Sequence, residues 1–72
     1  MDRTLLQNRV RAIRAERGLS QGDLATLVGV SRQTICSIET RQYCPSTLLA
    51  FQLARQLRVP IEELFALEEG VP

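Results

Sequence analysis

The chain of 72 residues contains no histidine and no lysine, and only two cysteines. Without histidine it lacks the usual general base and the commonest metal ligand, so enzyme and metal-site readings weaken at once. Cys36 and Cys44 are too few for the disulfide framework of a small secreted protein, and two cysteines without histidine cannot complete a four-ligand zinc site. They read as reduced structural thiols of a cytoplasmic protein, with a bridge or a redox role as the alternatives. No apolar run approaches the roughly 18 residues that cross a bilayer, and nothing at Met1 resembles a secretory signal. No segment alternates apolar and polar residues long enough to predict a strand. The expectation is therefore a non-enzymatic, all-α protein with no metal, no cofactor and no membrane span.

What is present has the makeup of a folded domain. Hydrophobic residues are 44% of the chain and charged ones 24%, which argues against a disordered tail. One domain spanning 1–72 is the most this length supports. Chains this short bury only about 60% of their unfolded surface, so pairing with a second copy would help the core. Nine arginines oppose eight acids, for a net charge of +1. That bulk charge does not suggest a nucleic-acid binder, but its distribution is uneven. Residues 1–41 hold seven arginines and four acids, whereas residues 42–72 hold Arg55 and Arg58 against Glu62, Glu63, Glu68 and Glu69. A basic half precedes an acidic half that would face away from any polyanion.

Apolar periodicity and capping residues predict five helices, at about 4–17, 21–28, 32–40, 46–57 and 61–67. Leu5, Leu6, Val10 and Ile13 recur near helical spacing in the first, and Gly18 ends it. Ser20 with Asp23 makes a capping box for the second, with Leu24, Ala25, Leu27 and Val28 as its apolar stripe. Ser31 caps the third, which buries Ile35 and Ile38. Ser46 stands at the start of the fourth, and Val59-Pro60 separates it from the fifth.

The segment at about residues 21–40 meets four requirements of a helix-turn-helix together. Ala25 is small enough for a close helix crossing, and Gly29 supplies the left-handed turn. Ile35 and Ile38 bury one face of the second helix. Ser31, Arg32, Gln33, Thr34 and Ser37 leave its start and outer face polar enough to enter a major groove.

On the runs Leu19-Ser20-Gln21-Gly22-Asp23-Leu24-Ala25, Gly29 through Glu39 and Tyr43-Cys44-Pro45-Ser46, the chain resembles the lambda-repressor-like helix-turn-helix regulators, of the Cro or xenobiotic-response-element type. The resemblance covers about residues 5–67 and is nearest to the compact members with little beyond five helices. It implies binding of double-stranded DNA as a homodimer on an inverted repeat, and no catalysis. It places Arg32, Gln33 and Ser37 at base edges, where Arg suits guanine and Gln suits adenine. It places Gln21, Ser31 and Thr34 at phosphates. It also implies a structural ion pair between Arg14 and Glu39, holding the recognition helix against the first helix.

Arg41 departs from the family pattern, which commonly has glycine there. Either the turn differs, or Arg41 accepts left-handed strain and gains a phosphate contact. Tyr43 reads equally as a phosphate contact or as packing against the fourth helix. Helices four and five carry more apolar surface than so small a core needs, and Ile61, Leu64, Phe65 and Leu67 are the expected two-fold interface. A repressor is the expected role. An antitoxin with a partner protein, a restriction-modification controller, and an interaction module without DNA binding are the alternatives.

Overall fold

The computed structural model describes residues 4–72; the first three, including the Met1 with which the expected domain opens, lie outside it. The order of elements is β1 (Leu6–Asn8), α1 (Val10–Glu16), α2 (Gln21–Val28), α3 (Arg32–Glu39), α4 (Thr47–Leu57), α5 (Ile61–Leu64) and β2 (Phe65–Leu67). The fold is mostly helical, of the expected five-helix lambda-repressor-like class, with a small ribbon added at one end.

That ribbon corrects the expected ends of two helices. The first helix begins at Val10, not near Thr4, and the fifth ends at Leu64, not Leu67. β1 and β2 pair antiparallel, with Leu6 opposite Leu67 and Asn8 opposite Phe65. The reason lies at Asn8. Its Oδ1 accepts from the Val10 N–H at 3.2 Å, and the Arg9 N–H donates to the Leu64 carbonyl at 2.9 Å. The first donors of α1 are thus satisfied from outside the helix, which stops it extending backward.

The helix-turn-helix forms for local reasons. The Ser20 hydroxyl accepts from the Asp23 N–H at 2.9 Å, and the Asp23 carboxylate accepts from the Ser20 N–H at 3.0 Å, closing the capping box. The Ser20 N–H, and after it the Ser20 side chain, favour the ionised carboxylate and hold Asp23 below the ordinary 3.8. Gly29 takes φ +74°, and the Val30 N–H reaches back to the Ala25 carbonyl at 3.0 Å, so α2 ends in a left-handed turn. The Ser31 hydroxyl caps α3 through the Thr34 N–H at 3.1 Å.

Val10 and Ile13 of α1, Leu24 of α2, Ile35 and Ile38 of α3, and Leu53 and Leu57 of α4 form one buried cluster. α2 and α3 pack directly on each other, with buried Ala25 keeping the crossing close. Leu64 is fully buried in the same cluster, with 0% exposure. Leu64 is therefore core, which corrects its expected place in the dimer interface. Ile61 and Phe65 are half-buried against the cluster, whereas Leu67 is 58% exposed. The helix gives way to extended backbone after Leu64, and this turns Leu67 outward.

Candidate nucleic-acid interface

Arg32 and Gln33 occupy the first turn of α3, and both are exposed. Ser37, half-buried, stands one turn beyond Gln33; the Gln33 Nε2 donates weakly to its hydroxyl at 3.4 Å. Ser31 and Thr34 meet at the same helix start, their hydroxyls 3.0 Å apart. The expected base-reading residues and two of the expected phosphate residues thus share one polar, outward surface. Its one guanidinium, one amide and three hydroxyls suit anionic and hydrogen-bonding partners.

Behind that surface lies a charged brace. Arg14 of α1 donates through Nε to Glu39 Oε2 at 2.7 Å and through a terminal nitrogen to Oε1 at 3.2 Å. The other terminal nitrogen of Arg14 reaches the Leu19 carbonyl at 2.8 Å. The bidentate pair is the strong form of guanidinium–carboxylate contact. Its side chains are 14% and 3% exposed, and hydrogen bonding to Glu39 holds the Arg14 guanidinium above its ordinary value despite burial. Burial and bidentate geometry make this pair a structural brace.

Gln21 differs from expectation. Its Nε2 donates to Glu39 Oε1 at 3.0 Å, so the amide nitrogen belongs to the brace. What α2 presents outward is its N-terminus. Arg14, Ser20, Gln21, Gly22 and Arg32 line a shallow depression there. The first N–H groups of a helix have no partner within it, and the positive end of the helix dipole favours an anion at such a place.

Arg41 corrects the sequence reading in one half and answers it in the other. It does accept left-handed strain, with φ +64°. Its guanidinium does not point to a free surface, however. The Nη2 donates to the Thr4 carbonyl at 2.6 Å and to Glu68 Oε2 at 2.8 Å. Arg41 is thus an internal ion-pair partner and not an available phosphate contact. The same pair corrects the expectation that the acidic half faces away, because β2 returns Glu68 to the exit of α3.

Tyr43 is 45% exposed, and its N–H donates to the Ser37 carbonyl at 3.2 Å. Arg9, Arg11 and Arg32 remain as exposed arginines of the basic half among the described residues, while Arg17 donates to the Leu57 carbonyl at 2.8 Å. Sequence reasoning missed Asn8, whose Nδ2 donates to the Ile38 carbonyl at 2.9 Å and so supports the end of α3. An asparagine two residues before a helix start is a capping signal, hidden here by running the helix back to Thr4.

Cys36 is half-buried and Cys44 exposed, both as free thiols. Among the described residues no helix is long and apolar enough to cross a membrane, and no group of three or more Cys, Asp or Glu is placed to hold a metal ion.

A family model described as helix-turn-helix matches residues 10–64. A helix-turn-helix transcriptional regulator of Bacillus subtilis is 42% identical over 64 residues, covering 89% of this chain and 97% of the relative. Another such regulator, from Methanocaldococcus jannaschii, is 45% identical over 64 residues with the same coverage. The crystal structure of the restriction-modification controller protein C.AhdI of Aeromonas hydrophila superposes with a TM-score of 0.72 at 34% identity, covering 76% of this chain and 83% of that one.

Proposed function

The chain belongs to the helix-turn-helix family of DNA-binding transcriptional regulators, and we propose that it acts as a sequence-specific repressor, in the cytoplasm, as a homodimer on an inverted repeat. The observation that carries this reading is the exposed start of α3, with Arg32, Gln33 and Ser37 outward and the opposite face buried. Arg32 reads guanine through O6 and N7, and Gln33 reads adenine through N6 and N7. Ser31 and Thr34, the N-terminus of α2 at Gln21, and Tyr43 contact phosphates. Ile61, Phe65 and Leu67 contribute to the two-fold surface, which sets the two recognition helices about 34 Å apart, one turn of B-DNA.

A bulk charge of only +1 fits this division of labour. Arg14 and Arg41 are neutralised internally by Glu39 and Glu68, which leaves few cations for non-specific attraction. Base contacts and dimer geometry supply the remaining affinity.

The test is anisotropy titration of a cognate duplex over a range of salt. Log affinity should fall linearly with log salt. Arg32→Ala should relax discrimination at one base position by about 1–3 kcal/mol and leave other positions alone. Equal weakening on all sequences would move Arg32 to the phosphates, and affinity indifferent to salt and sequence would overturn the reading. The likeness to C.AhdI favours a second reading, a restriction-modification controller. It has the same contacts and differs in its operator, which would lie upstream of methyltransferase or endonuclease genes.

A further inference from the structure

Arg41 is the first residue after the C-cap of α3, and its left-handed backbone is one that a non-glycine residue keeps only where its surroundings hold it. Those surroundings are the two ends of the chain. The Thr4 N–H donates to the Arg41 carbonyl at 2.8 Å while the Arg41 Nη2 donates back to the Thr4 carbonyl. The same Nη2 meets Glu68, whose own N–H donates to the Leu5 carbonyl at 2.8 Å, just beyond the β1–β2 pairing. The pair is largely shielded, with side chains 17% and 31% exposed, and the Arg41 Nε is buried without a partner. A guanidinium that leaves one donor unsatisfied to reach Glu68 is wedged into place.

Immediately beyond Arg41 the chain folds back on the recognition helix. The N–H groups of Gln42 and Tyr43 both donate to the Ser37 carbonyl, at 2.9 and 3.2 Å. Asn8, at the end of β1, holds the neighbouring Ile38 carbonyl. The terminal ribbon therefore grips the last turn of α3 at one point and the loop after it at another.

We propose that Arg41 and Glu68 form a clasp by which the β1–β2 ribbon positions the Gln42–Tyr43 loop and the last turn of α3 for DNA. Both are positioning residues, and neither touches DNA. The inference rests on the DNA-binding reading above, and it assigns to a glutamate near the far end of the chain a part in recognition. It also gives the ribbon a purpose beyond closing the core.

The test is a double-mutant cycle on the full chain with Glu68→Gln, Arg41→Gln and the double variant, read in two ways. Without DNA, amide exchange at Gln42 and Tyr43 should accelerate in both single variants. With a cognate duplex, each single variant should bind about five- to tenfold more weakly, and the double variant should lose clearly less than the two single losses combined, because both remove the Arg41–Glu68 ion pair. The slope of log affinity against log salt should stay as in the parent, since no phosphate contact is lost.

A slope lower by about one in Arg41→Gln, with tighter binding by Glu68→Gln, would show Arg41 to be a phosphate contact held back by Glu68, and would overturn the clasp. Additive losses, or unchanged affinity, would overturn it equally. If the parent chain binds no duplex, the DNA-binding reading fails separately. The exchange measurement then decides whether the clasp holds the loop, and unchanged exchange at both amides refutes it.

Discussion

Glu39→Gln removes one charge from the brace behind the recognition helix and changes almost nothing in shape. The carboxylate accepts three hydrogen bonds, two from Arg14 and one from Gln21, at 2.7–3.2 Å. With Glu39 only 3% exposed, water cannot replace it. Breaking a buried pair by neutralising one partner costs about 3–5 kcal/mol. The glutamine oxygen keeps one acceptor, but its NH2 group opposes donors of Arg14 or Gln21, so the expected loss is about 2–4 kcal/mol.

For a domain of this size each kcal/mol lowers Tm by about 4–8 °C, so scanning calorimetry should show a fall of roughly 10 °C or more. The pH dependence has a definite sign. Hydrogen bonding to Glu39 holds Arg14 above its ordinary value, so its share of the stability is fully present at neutral pH and lost only in strong alkali. The Arg14 side thus contributes no change across the neutral range. A loss under about 0.5 kcal/mol by urea titration would place the pair among ordinary surface ion pairs and refute the reasoning.

Two backbone substitutions should act in opposite directions. At Gly29 an added Cβ meets nothing within 4 Å, so Gly29→Ala suffers only the left-handed strain and should destabilise by about 1–2 kcal/mol in urea. Arg58 caps α4 at φ +59° with an exposed side chain, so Arg58→Gly should relieve the same strain and stabilise by about 0.5–1 kcal/mol; a loss would show that its side chain does more than cap. Acid should weaken the start of α2. Asp23 is held below 3.8, so its contribution is present above that pH and fades as pH falls through its lowered value, and Asp23→Asn should remove that part of the acid sensitivity seen by circular dichroism.

The features legible in the sequence are the local ones. Ser20, Gly29 and Ser31 act within four residues of themselves, so capping and turn chemistry place α2 and α3 without knowledge of the rest. The terminal ribbon was illegible because three-residue strands are too short for alternation to register, and each is specified by its partner at the other end of the chain. Arg41 shows the same limit. Its left-handed backbone was one of two options in the sequence, but its carboxylate partner lies 27 residues away. Leu64 and Leu67 share a helical face only if the helix runs through both. Ending it at Leu64 sends one to the core and the other to solvent.

The most direct test of DNA recognition is selection of bound sequences from a random duplex pool with the full chain. The account expects an enriched inverted repeat whose half-site centres lie about 10 base pairs apart, with a guanine assigned to Arg32 through loss of that preference in Arg32→Ala. Recovery of unenriched sequence, or of a single half-site without its symmetric mate, would contradict it.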